Sequence, residues 1–130
     1  MMLRFGDQDY PAALMDLADA PPVLWARGDV SLLNRPAVAL VGARNASSLA
    51  LRMSRRLAET LGAAGQVVVS GLARGIDTEA HRAALETGTI AVQAGGVDVI
   101  YPDENADLAA EIAEKGCLLS EQPMGTEPQA

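Results

Sequence analysis

Short apolar runs closed by glycine alternate along this chain with stretches whose apolar residues recur at helical spacing, the pattern of βαβ units wound onto a parallel sheet. Residues 37–41, Ala-Val-Ala-Leu-Val, entered from Pro36 and ended by Gly42, predict the first strand of that series. Residues 67–70, 89–94 and 117–120 predict three more, stopped in turn by Gly71, by Gly95-Gly96 and by a polar segment. After the first strand, Leu49, Met53, Leu57, Leu61 and Ala64 fall on one stripe of a helix that starts at Ser47 or Ser48, with Arg52, Arg55, Arg56 and Glu59 off it. The stripe is the face expected to turn inward. A second helix is expected over 77–86, with Ile76, Ala80, Ala84 and Leu85 inward and Gly88 as its stop. A third is expected over 105–115, after the turn Tyr101-Pro102-Asp103, and residues 121–130, with two prolines and a glycine, read as loop.

Residues 1–35 do not follow the alternation. Residues 10–14 suggest a short helix, Pro21-Pro22 a break and residues 23–28 a lead-in strand, so the chain divides into a lead-in segment, 1–35, packed on the core, and an α/β domain, 36–130. Trp25, a single tryptophan beside a Pro-Pro turn, reads as a packing residue and not as a stacking platform. Composition sharpens this only slightly: 49% of residues are hydrophobic but 3% aromatic, so the core has to be aliphatic. One cysteine, Cys117, and one histidine exclude a disulfide framework and a structural zinc site. No apolar run approaches the roughly 18 residues of a membrane span and the start has no signal-peptide stretch, so a cytoplasmic protein without membrane contact is expected.

Charge changes the picture more. The net charge of -7 is divided as -3 over residues 1–34, +4 over 35–82 and -8 over 83–130, and nine of the ten basic residues are arginine. The guanidinium fork suits bidentate phosphate contacts, which makes the central third the candidate anion-binding region, with a solvated arginine-rich helix face as the alternative. Parallel sheets place ligands beyond the carboxyl ends of their strands, and three of the expected strands end there in glycine-bearing loops: Gly42-Ala43-Arg44, Gly71 to Gly75, and Gly95-Gly96-Val97-Asp98. Small residues admit a ligand close to the backbone, helix starts near Ser47 and Asp77 favour anions, and Arg44 and Arg74 bring full charges. The same glycines also suit tight turns and helix–strand packing.

Other chemistries find less support. Arg44 occupies the place of the second glycine of a dinucleotide fingerprint, no acidic residue closes the second strand, and no phosphate-loop lysine motif occurs. Asp77 and His81, four apart, can share a helix face, but no nucleophile accompanies them; capping by Asp77 and a hydrogen bond from His81 to a neighbouring loop explain the pair better than an oriented base. An apolar setting makes Cys117 an inert core residue.

Three blocks then resemble a known family. Val41-Gly42-Ala43-Arg44 with Ser47, the run Ser70 to Asp77 with Ala80-His81, and the run Ala94 to Pro102 with Asn105 are similar to the DNA processing protein DprA (Smf) family, and Ser120-Glu121 with Pro123 and Gly125 continues the likeness. The resemblance implies a Rossmann-like three-layer α/β/α domain with a mostly parallel sheet. It implies single-stranded DNA binding without catalysis or cofactor, homodimer formation, and delivery of protected strands to the RecA recombinase in natural transformation. It assigns phosphate or DNA contact to Gly42, Ala43, Arg44, Ser47, Ser70, Gly71, Arg74, Gly75, Gly95 and Gly96, and loop support to Asp77, His81 and Asp98. The family pattern continues with a basic block that this chain lacks, so the domain is expected to be incomplete at its C-terminal end. The alternative is a nucleotide-processing enzyme of the cytokinin-activating, lysine-decarboxylase-like group, of whose signature Gly125-Thr126-Glu127 is a faint echo.

Overall fold

The structure is a computed structural model that describes residues 1–128. Its strands are β1 (Met2–Arg4), β2 (Val23–Gly28), β3 (Ala37–Ala39), β4 (Val67–Ser70), β5 (Thr89–Val92) and β6 (Cys117–Ser120). Its helices are α1 (Ala12–Met15), α2 (Ser48–Ala63), α3 (Ile76–Ala84) and α4 (Ala106–Lys115), with 3-10 turns at Val30–Asn34 and Asp103–Asn105. The strands form one sheet in the order β1-β2-β6-β5-β4-β3. From β3 to β6 all pairings are parallel, while β2 joins β6 and β1 joins β2 antiparallel. This is a Rossmann-like α/β fold.

Alternation along the strands builds two apolar layers. Val68, Ala91 and Leu118 point to the side covered by α2, α3 and α4, where they meet Ala58, Ala80 and Ala84 in one cluster and Leu108, Ala109 and Ile112 in another. Val67, Ile90, Cys117 and Leu119 point to the opposite side and pack with Leu3, Tyr10, Leu24, Leu32 and Leu33. Residues 1–35 are therefore one layer of the core and two strands of the sheet. Their backbone joins the same hydrogen-bonded ladder as β6.

The helix boundaries follow their signals. Ser47 caps α2, its Oγ accepting from Ala50 N at 3.1 Å, and Gly65 follows its end with φ +85°. The inward face of α2 differs from the apolar stripe. Leu49, Met53 and Leu57 are 59%, 61% and 48% exposed, whereas Ser54 and Ala58 are buried. Small residues let α2 approach α3 closely, and the Ser54 hydroxyl donates to the Ile76 carbonyl at 3.2 Å. The larger side chains stay open, as do Val38 and Val41 around β3, the last strand of the sheet.

Cys117 is fully buried, and burial pushes its thiol up to about 11, well away from thiolate chemistry. Among the described residues, no helix is long and apolar enough to cross a membrane.

Candidate functional site

Beyond the carboxyl ends of β3, β4 and β5 the three loops converge, as crossover geometry requires. The loop after β3 lies on the start of α3: Ile76 N donates to Ala43 O at 3.4 Å, and Gly42 sits so close to Ile76 that a Cβ there would be 2.7 Å from the Ile76 side chain. Gly75, with φ +76° and ψ -122°, brings the second loop against the carbonyls of Ala43 and Arg44. These two glycines serve the approach of one loop to the other.

The loop after β4 is pinned from within. Asp77 Oδ2, in the first turn of α3, accepts from Gly71 N at 3.1 Å and Ala73 N at 3.3 Å. Thr78 Oγ1 donates to Ala73 O at 2.8 Å, and Asn105 Nδ2, from the far end of the 3-10 turn, donates to Leu72 O at 2.9 Å. Leu72 is held at φ +66°, a conformation costly for a branched side chain and here fixed by these bonds. The amides of Gly71 and Ala73 thus already hold the Asp77 carboxylate, and the full positive charges at this site are those of arginine side chains.

His81 is fully buried and does not touch this loop through a side-chain bond. Its Nδ1 lies 2.7 Å from Thr89 Oγ1, which donates to Val68 O at 2.9 Å, so the ring ties α3 to β5 and, through Thr89, to β4. Burial lowers its pKa to about 4. The Ser70 hydroxyl is likewise committed, donating to Leu40 O, and Ser47 is occupied in its cap. Asp98 holds the following segment, its Oδ1 accepting from Gly125 N at 2.8 Å, while Gly96 N donates to Thr126 O at 2.9 Å. The Ser47 and Ser70 hydroxyls and the Gly96 amide each make one bond within the scaffold.

What the loops enclose is a cavity of about 170 Å³. Of the residues marked from the sequence, Arg44, Gly71, Arg74 and Gly95 line it, while Gly75 faces an adjoining depression with Thr78 and Asn105. Sequence reasoning passed over Gln93, Val99, Tyr101 and Pro102, which form its other wall. Gln93 Nε2 donates to Gly96 O and Val99 O, each at 3.2 Å, and so fixes that wall. The aromatic-proline pair at 101–102 was the available signal.

The two arginines differ. Arg74 Nε donates to Glu104 Oε1 at 2.6 Å, with both side chains more than half exposed, a pairing worth little in water. Arg44 forms no ion pair among the described residues and is exposed at the cavity.

The family model of DNA recombination-mediator protein A matches residues 1–130. The chain belongs to that family. It is 41% identical over 130 residues to DNA processing protein DprA of Bacillus subtilis, covering 98% of this chain and 44% of that protein. It is 40% identical over 129 residues to protein Smf of Synechocystis, covering 95% and 32%. The X-ray structure of DprA from Streptococcus pneumoniae superposes with a TM-score of 0.91 at 39% identity, over 99% of this chain and 46% of that one. A structure of DprA from Helicobacter pylori, which addresses that protein's single-stranded DNA binding mode, gives 0.87 at 32%, over 99% and 59%. The chain thus spans less than half the length of the curated relatives it matches.

Proposed function

We propose that this chain is the part of a DprA-type protein that binds single-stranded DNA, and that it does so without chemical transformation of the strand. The observation that carries the reading is Arg44, without an ion pair among the described residues, on a cavity of about 170 Å³ at the carboxyl ends of three parallel strands. A guanidinium there meets a phosphate of the strand, with Arg74 as a second, partly neutralised contact. Gly42, Ala43, Gly71, Gly75 and Gly95 shape the loops around it, and Asp77 and Asp98 keep them in place. The likeness to the H. pylori protein supports single-stranded DNA as the ligand.

The broader role follows from the same reading: protection of incoming single strands in the cytoplasm and their transfer to RecA during natural transformation, by a homodimer of the whole protein. The two acidic flanks of the sequence repel a polyanion, so recognition is confined to the arginine-bearing loops, and a narrow site of that kind suits a flexible strand better than a stiff duplex.

The test is fluorescence anisotropy of a labelled oligonucleotide, titrated as a single strand and as the duplex of the same sequence. Tighter binding of the single strand, weakened by added salt, is the expected outcome. Equal affinity for both forms contradicts the reading.

A further inference from the structure

We infer that the outer face of α2 carries a further length of the bound strand, with Arg52 and Arg56 holding phosphates beyond the one at Arg44. The inference rests on the proposed function for its ligand and goes beyond it in assigning a contact surface outside the loops and the two residues that form it. Recognition stays with the loops, and α2 lengthens the contact. α2 begins at Ser48, just after the loop that carries Arg44. The helical rise puts Arg52 about 6 Å and Arg56 about 12 Å along the axis from that start. Each is two residues from the buried Ser54, roughly half a turn round the helix, so both point away from the core. Both are exposed, and neither forms an ion pair among the described residues, whereas Arg55, turned toward α3, is bound to Glu79 at 3.2 Å.

A face that only meets water balances its charges, with opposite signs at i and i+4. Arg52 and Arg56 stand at that spacing with the same sign, and Glu59 is the only acid on the helix. Like charges so placed repel, and a ligand with phosphates in series relieves the repulsion. The row also has an apolar margin, because Leu49 and Met53 are exposed beside it. On the other flank of α3 the sign is reversed: α4 exposes Asp107, Glu111 and Glu114. A strand leaving the loops is therefore repelled along α4 and attracted along α2. Contact through phosphates alone carries no base preference, so this surface adds affinity and salt dependence without adding sequence specificity.

The experiment measures the salt dependence of binding, by fluorescence anisotropy, for labelled oligothymidylates of about 4 and about 16 nucleotides. The proteins are the wild type, the double variant Arg52→Ala/Arg56→Ala, Arg44→Ala and a control, Arg4→Ala/Arg27→Ala, each first shown by circular dichroism to be folded. The control removes the same charge from β1 and β2, at the far edge of the sheet from α2. On the longer strand the α2 variant is expected to lose about 1.4 from the slope of log Kobs against log[salt], two phosphate contacts at about 0.7 each, and about tenfold in affinity at low salt. On the shorter strand, which the loops fill, it matches the wild type. The control binds both strands as the wild type does, and Arg44→Ala weakens both. A wild-type slope for the α2 variant on the longer strand, an equal loss on both lengths, or a loss that the control reproduces overturns the α2 contact and leaves the phosphate at Arg44 in place. Wild-type protein that binds neither strand overturns both.

Discussion

Gly75→Ala is expected to lower the thermal midpoint by on the order of 10 °C and to abolish strand binding with it. The residue lies at φ +76° and ψ -122°, a region that side-chain-bearing residues rarely enter. A Cβ on it would sit 2.5 Å from Ala43 O and 2.6 Å from Arg44 O, both backbone atoms that cannot swing aside. Relief requires the loop after β4 to move off the loop after β3, and Arg44 and Arg74 then no longer face one cavity. Backbone strain and the clash together cost about 3 kcal/mol. Differential scanning calorimetry with anisotropy on the same preparation checks both halves. A variant that melts within about 2 °C of wild type shows that the two loops are not locked together at Gly75.

A second large effect comes from His81. Its folded pKa, lowered to about 4 by burial, lies below the ordinary value of 6.5, so as the pH falls the unfolded chain takes up the proton first. The stability that depends on the neutral ring is fully present above pH 6.5 and is lost progressively as the pH falls towards 4. Linkage puts the loss at about 2 kcal/mol at pH 5 and about 3 kcal/mol at pH 4. Carboxylates titrate over part of the same range, so the measurement is the difference in urea midpoints between pH 7 and pH 5 for wild type and for His81→Gln. The variant is less stable at neutral pH, having lost the Thr89 bond, but its midpoint falls less on acidification. Parallel pH dependences contradict the assignment.

The parallel core and the placement of the site are legible in the chain itself. Strands buried on both faces read as continuous apolar runs, and their order with the helices forces the loops of residues 42–44, 71–75 and 95–98 to one end of the sheet. Three things resisted. β1 has three residues, too few to show a period, and exists because β2 offers it an edge. On α2 the apolar stripe is genuine, but helix–helix contact is decided by Ser54 and Ala58, whose small size matters more than their hydropathy. Inside the site, the loop amides are spent on Asp77, and Asn105 holds Leu72 across 33 residues of sequence. Side-chain-to-backbone bonds over such distances leave no local pattern.

The central claim is that Arg44 meets a phosphate of a bound single strand. The most direct test is the dependence of log Kobs on log[salt] for single-stranded DNA, measured by anisotropy for wild type and Arg44→Ala. Loss of one phosphate contact on a single strand removes about 0.7 from the slope and lowers the affinity at low salt, while the circular dichroism spectrum stays unchanged. An Arg44→Ala protein that binds with the wild-type affinity and the wild-type slope would contradict the account and place the strand elsewhere on the molecule.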